Sequence, residues 1–168
     1  MYRSTKTFGN DVGLSCSFRQ WRADSHCHFI HGYSLGFRFV FEAEELDKRN
    51  WVYDFGGCKW IKKYLEDNFD HKLAIAEDDP ELSNILKLSK DVACINVVKG
   101  VGCEMFAKQV FDFVAPEVRK ETHGRVSLYS VECFEHGANS AIAHNPYGSI
   151  ILKGEFYESF NSFIRWSR

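Results

Sequence analysis

An antiparallel sheet with helices layered on one face, an α+β arrangement, is the fold this sequence predicts. Three observations carry the prediction. Tyr33, Leu35, Phe37, Phe39 and Phe41 alternate with Ser34, Gly36, Arg38, Val40 and Glu42, the period-two pattern of a half-buried strand. Residues 125 to 134 return to the same alternation late in the chain. Between these two stretches, apolar residues recur three and four apart, the spacing of helices with one buried face.

In chain order, Leu14-Ser15-Cys16-Ser17-Phe18 alternates and is expected to pair with the strand that follows it. Trp51-Val52-Tyr53 is a short extended run ending at Asp54. Cys58, Ile61, Leu65 and Phe69 fall on one face of a first helix, with Lys59, Lys62, Lys63, Glu66 and Asp67 mostly on the other. Asp79-Pro80-Glu81 reads as an N-cap with Pro at the first position of a short second helix. Residues 93 to 98 read as a short buried strand. Residues 102 to 115 form a third helix with a stripe of Phe106, Val110, Phe113 and Val114, and Pro116 is expected to stop it. Residues 1–144 are expected to make one domain. Residues 145–168 are an aromatic-rich extension (Tyr147, Phe156, Tyr157, Phe160, Phe163, Trp166) expected to pack on it.

Composition narrows the partners. The 168 residues are 45% apolar and 26% charged, as in globular domains. With 21 basic and 23 acidic residues there is no basic surplus to bind nucleic acid. No window approaches the roughly 18 apolar residues of a membrane span. The start, Met1-Tyr2-Arg3-Ser4-Thr5-Lys6, lacks the apolar stretch of a secretory signal. A cytoplasmic protein with neither nucleic acid nor membrane as partner is therefore expected. The six cysteines, at 16, 27, 58, 94, 103 and 133, form no CxxC pair and are read as reduced thiols. Cys16, Cys58, Cys94 and Cys133 are expected to be small buried hydrophobes.

Three places carry chemistry. In Ser25-His26-Cys27-His28-Phe29-Ile30-His31-Gly32-Tyr33 a thiol stands among imidazoles, which suits a thiolate base or nucleophile, and three His within six residues also suit a metal. Asp70-His71 sets a carboxylate beside an imidazole, the pairing of general acid/base work. Glu132 lies on an apolar strand, where a carboxylate needs a partner; a ligand edge with two donors side by side is one such partner. Glu104 opens the third helix, where capping is the expected role.

Taken in order, Cys27-x-x-x-His31-Gly32, Asp54-Phe55, Asp70-His71 and the late strand Glu132 resemble the 6-pyruvoyltetrahydropterin synthase / 6-carboxytetrahydropterin synthase family. The likeness runs from about Leu14 to Ile142 and is densest between Cys27 and Leu73. It implies a tunnelling fold (T-fold), a four-stranded antiparallel sheet with two layered helices, whose subunits join edge to edge into rings that stack as a homohexamer. It implies lyase chemistry on the side chain of 7,8-dihydroneopterin triphosphate or a related dihydropterin, feeding 7-deazaguanine (queuosine) or pterin synthesis. By position, Cys27 would move side-chain protons, Asp70 and His71 would be the paired acid/base, and Glu132 would hold the 2-amino and ring N–H edge of the pterin.

The family's zinc is implied with three imidazole ligands, and here the pattern departs. His31-Gly32-Tyr33 keeps His31 and has Tyr33 at the second position. The first-strand ligand falls on Phe18, or on Cys16 in a gapless alignment. Two readings stay open: His31 recruits His26 or His28 to hold Zn2+, or no zinc is held. A changed lyase reaction is the leading expectation, and a pterin- or guanine-binding protein without catalysis is the alternative.

Overall fold

Strand β3 (His31–Ala43) organises the computed structural model, which describes residues 1–144. The extension expected over residues 145–168 lies outside the described residues. The alternation read from the sequence is realised in β3: Leu35, Phe37, Phe39 and Phe41 are all fully buried under the helices. Strand β2 (Leu14–Phe18) pairs with it antiparallel, as expected, with Leu14 opposite Leu35, Cys16 opposite Tyr33 and Phe18 opposite His31. Strand β1 (Tyr2–Phe8) continues along the same edge of β3, opposite residues 37–43. A 3-10 turn at Asn10–Val12 separates β1 from β2, and Ser34 Oγ donates to the Asn10 carbonyl at 2.7 Å to hold the break in place.

On the other edge of β3 lies β6 (Val126–His136), paired antiparallel with a bulge at Val40/Phe41, and β7 (Asn139–His144) pairs with β6. Taking β1 and β2 as one interrupted strand, these make the four expected antiparallel strands. The sheet is larger than that, however. Strands β4 (Lys72–Ala76) and β5 (Ile95–Val98) extend it past β2, in the order β5-β4-β2-β3-β6-β7, and both the β2–β4 and β4–β5 pairs are parallel. Parallel neighbours need a crossover, and α1 (Lys59–Phe69) lies in the connection that leads to β4. In β4, Leu73-Ala74-Ile75-Ala76 is an unbroken apolar run, so it has no alternation to read. β1 alternates among polar residues (Arg3, Ser4, Thr5, Lys6, Thr7) and carries little apolar signal.

Helix α1 buries Ile61, Leu65 and Phe69, the stripe expected of it. The second helix, α2 (Leu82–Ile85), is a single turn beginning two residues after Pro80, with Asp79 Oδ1 accepting from the Glu81 N–H at 2.8 Å. Helix α3 (Cys103–Glu121) runs through Pro116 instead of stopping at it. Val114 and Val118 are fully buried on either side while Pro116 is exposed, so packing holds the helix together across the missing N–H. Trp51-Val52-Tyr53 is a loop, not a strand: Asp47 Oδ1 accepts from the Trp51 N–H at 3.0 Å, and Arg125 Nη2 donates to the Val52 carbonyl at 2.8 Å.

Aromatic rings tie the layers together. Phe37 of β3 meets Phe69 of α1 at 5.1 Å, Phe69 meets Phe106 of α3 at 5.3 Å, and Phe106 meets Phe18 of β2 edge-on at 5.3 Å. Each fully buried Phe stabilises the fold by about 1.5–3 kcal/mol relative to exposure. No helix among the described residues is long and apolar enough to cross a membrane.

Candidate active site

Cys27 sits in a single 3-10 turn, His26–His28, whose N-cap Ser25 accepts from the Cys27 backbone N–H through Oγ at 3.4 Å. The turn leads into β3 at His31. His31 Nδ1 lies 2.9 Å from the Phe29 carbonyl, an acceptor-only group, so Nδ1 donates in that bond and Nε2 is the ring nitrogen left for other partners. Tyr33 follows on the same face, its ring 5.8 Å from His31. The Tyr33 phenol is pushed up from its ordinary pKa, first by the Glu135 carboxylate, then by burial and by the Cys27 and Cys103 thiols.

Phe18 decides what the imidazole positions hold. The β2–β3 register sets Phe18 directly opposite His31, with ring centroids 4.8 Å apart and a further 6.2 Å to Tyr33. Cys16 stands opposite Tyr33, fully buried, its thiol pushed up to about 12 by burial. The set around His31 is thus a phenyl ring, a phenol and a protonated thiol. Zinc takes His nitrogen, thiolate sulfur or carboxylate oxygen, normally from three or four protein groups, and this set does not fit it. His28 is engaged locally: its Nδ1 lies 2.6 Å from the Ser25 carbonyl and its ring packs on Phe29 at 3.9 Å. Among the described residues no three His, Cys, Asp or Glu side chains converge on a common point.

Asp70 and His71 form the second group. The Asp70 carboxylate and His71 Nδ1 are 2.7 Å apart at the end of α1, where His71 takes a left-handed φ of 52°. A non-glycine residue in that region is held there by its surroundings, a feature found at functional positions. The Ser15 backbone N–H donates to the same carboxylate at 3.4 Å, which ties the pair to β2.

Glu132 is the third group, on the opposite face of the sheet from Cys133 and Val131, which are buried toward the helices. Its partner is Arg38, directly opposite on β3, whose Nη1 donates to Oε2 at 3.1 Å. Phe134 lies on this same outer face and covers Gly36, where any Cβ would collide with its ring. Cys27, Asp70–His71 and Glu132 therefore occupy three places, and no hydrogen bond or ion pair joins them among the described residues.

Three features were not readable in advance. Arg38 becomes a partner of Glu132 only once the strands are registered. The neighbouring Cys103 thiol, together with burial, pushes the Cys133 thiol up. Cys94 corrects an expectation: it is exposed and accepts from Lys72 Nζ at 3.1 Å, because it lies just before β5 begins. Cys16, Cys58 and Cys133 are buried as expected.

Residues 10–146 match the family described as 6-pyruvoyl tetrahydropterin synthase. This chain belongs to that family. The 6-carboxy-5,6,7,8-tetrahydropterin synthases of Rickettsia felis and Rickettsia conorii are each 39% identical to it over 57 residues, 33% of this chain and 41% of theirs. The matched stretch thus spans about two-fifths of the length of those curated relatives. Among solved structures, an uncharacterized Wolinella succinogenes protein superposes with a TM-score of 0.69 at 20% identity, over 86% of this chain and 98% of that one. The 6-pyruvoyl tetrahydropterin synthase of Plasmodium falciparum superposes at 0.63 with 12% identity, over 86% and 97%. The family member described here has the T-fold of these neighbours, with the parallel β4–β5 pair added to the expected four strands.

Proposed function

We propose that the protein is a cytoplasmic lyase of this family acting on the side chain of a reduced pterin, with 7,8-dihydroneopterin triphosphate as the first substrate to test and 7-deazaguanine or pterin synthesis as the pathway it feeds. The observation that carries the reading is the Asp70–His71 pair, a carboxylate and an imidazole 2.7 Å apart on strained backbone, in a chain of a synthase family. In this reading Asp70 orients His71 and stabilises its protonated form, so that the imidazole exchanges a proton with the substrate side chain. Cys27 moves a proton on the other side, and Glu132 accepts from the paired donors of the pterin edge.

The three groups stand apart within one chain. That separation, together with the family resemblance, supports assembly of several copies into rings so that groups from neighbouring chains meet; a homohexamer is the proposed state. Incubation with 7,8-dihydroneopterin triphosphate, followed by mass spectrometry, is expected to show a new reduced pterin and released triphosphate. Tight pterin binding with unchanged substrate would favour the binding-protein alternative instead. Light scattering on the eluting protein tests the assembly.

A further inference from the structure

We propose that an aromatic groove between α1 and α3 is a docking surface for the chain's own residues 145–168. The proposal is independent of the pterin reading. The two helices bury their apolar stripes, yet Phe113 on α3 is 42% exposed. Its ring stacks on Tyr64 of α1 with centroids 3.8 Å apart, and Trp60 of α1 lies 6.3 Å from it. Beside these rings is a cavity of about 250 Å³ lined by Trp60, Glu117, Lys120 and Glu121. A small-molecule site ordinarily takes roughly 300–1,000 Å³, so this one suits anchoring side chains better than a metabolite. The Tyr53 hydroxyl donates to Glu121 Oε2 at 2.7 Å and fixes that carboxylate. Lys120 Nζ stands 3.8 Å from Glu117, so two carboxylates and one ammonium leave the cavity net negative.

Three observations name the occupant. The first is where β7 ends. α3 lies over β6 and β7, and β7 stops at His144, opposite Ser130. β6 starts at Val126, whose N–H donates to Thr122 Oγ1 at 3.1 Å at the end of α3. Four residues of strand, about 14 Å, therefore separate the exit point from the last turns of α3, which carry Glu117 and Glu121. The second is apolar spacing. Leu152, Phe156, Phe160, Phe163 and Ile164 recur three to four apart, the period of one helical face. A helix over that stretch is about 18 Å long, against about 16 Å for α1. The third is charge. Arg165 and Arg168 flank Trp166 at the end of the chain, and a guanidinium suits both a carboxylate and an aromatic face. The outer face of the sheet is less favourable, because an apolar stripe laid there would have to desolvate the Arg38–Glu132 ion pair.

The test is photo-crosslinking on the full chain, with p-benzoylphenylalanine in place of Phe113 and, in a second protein, in place of exposed Lys120 on the cavity rim. Chains grown in light and heavy nitrogen are refolded together, irradiated, digested and mapped by mass spectrometry. Adducts to peptides within residues 145–168 are expected from either position, with both halves carrying the same isotope. No adduct in that segment from either protein would overturn the proposal. So would adducts that join light to heavy peptides at the frequency of random pairing, which would assign the groove to a second copy's segment. The same probe in place of exposed Val97, on β5 at the far edge of the sheet, is expected to leave residues 145–168 unmodified, and equal yield there would overturn a specific seat. Replacing Phe156, Phe160 and Phe163 together by Ser is expected to cut the adduct about tenfold or more, and an unchanged yield would overturn docking through that stripe.

Discussion

Arg38 and Glu132 face each other across the β3–β6 ladder, the guanidinium Nη1 donating to the carboxylate at 3.1 Å on the sheet face away from the helices. A guanidinium presents planar, side-by-side N–H donors, and so does the 2-amino and ring N–H edge of a pterin. The carboxylate thus holds, within one chain, the kind of partner its proposed ligand would supply.

Replacement of that carboxylate tests the assignment. In Glu132→Gln an acceptor oxygen becomes a donor, leaving an unmatched pair at a cost of about 1–3 kcal/mol. Affinity for a reduced pterin is expected to fall tenfold or more, with the fold retained. Arg38→Ala should change stability by less than about 1 kcal/mol, because the ion pair is half exposed. Unchanged calorimetric affinity in Glu132→Gln would remove it from the site.

Thiol reactivity distinguishes Cys27. Half-buried Cys27 and exposed Cys94 are expected to react with iodoacetamide, while buried Cys16, Cys58, Cys103 and Cys133 stay protected. Cys27→Ala should abolish turnover and keep ligand binding, and Cys94→Ala should leave both unchanged. Mass mapping that finds Cys27 among the slow thiols would end its catalytic assignment.

Stability should fall on the alkaline side. Burial pushes Cys16 up to about 12 and Cys58 up to about 11. The folded state therefore keeps protons that the unfolded chain begins to release near the ordinary thiol pKa, about 8.5. This contribution is complete below that value and is lost as pH rises toward the folded values. At pH 10.5 Cys16 alone accounts for up to about 3 kcal/mol. The thermal midpoint is expected to drop between pH 8 and pH 10.5, and less so in Cys16→Ala when each protein is compared with its own pH 8 value.

The register of β2 against β3 predicts a gain of metal. Phe18, His31 and Tyr33 share one corner, with ring centroids within 6.2 Å of one another. The double variant Phe18→His/Tyr33→His places three imidazoles there and is expected to bind about one zinc per chain by elemental analysis. A folded double variant that takes no zinc would show that the three side chains do not aim at a common point.

Legible in the chain alone were the alternating, aromatic face of β3, the pairing of β2 with it, the apolar stripe of α1, the α3 stripe at Phe106, Val110 and Val114 but not at Phe113, which is exposed against Tyr64, and the presence of Cys27, Asp70–His71 and Glu132 in the order of one family. These are local patterns: period two, period three to four, and motif spacing are set by neighbours in the chain. Tertiary structure decided the rest. Whether Cys16 or Phe18 stands against His31 depends on strand register, because the two share one face of β2 and a slip of two residues would exchange them without changing the periodicity. The parallel β4–β5 pair depends on a crossover that no short window contains, and α3 passes Pro116 because Val114 and Val118 are packed from outside the helix. Glu132 meets Arg38 although 94 positions separate them in the chain. Burial and pairing of that kind are properties of the assembled sheet, since each residue's partner comes from a distant segment brought alongside it by folding.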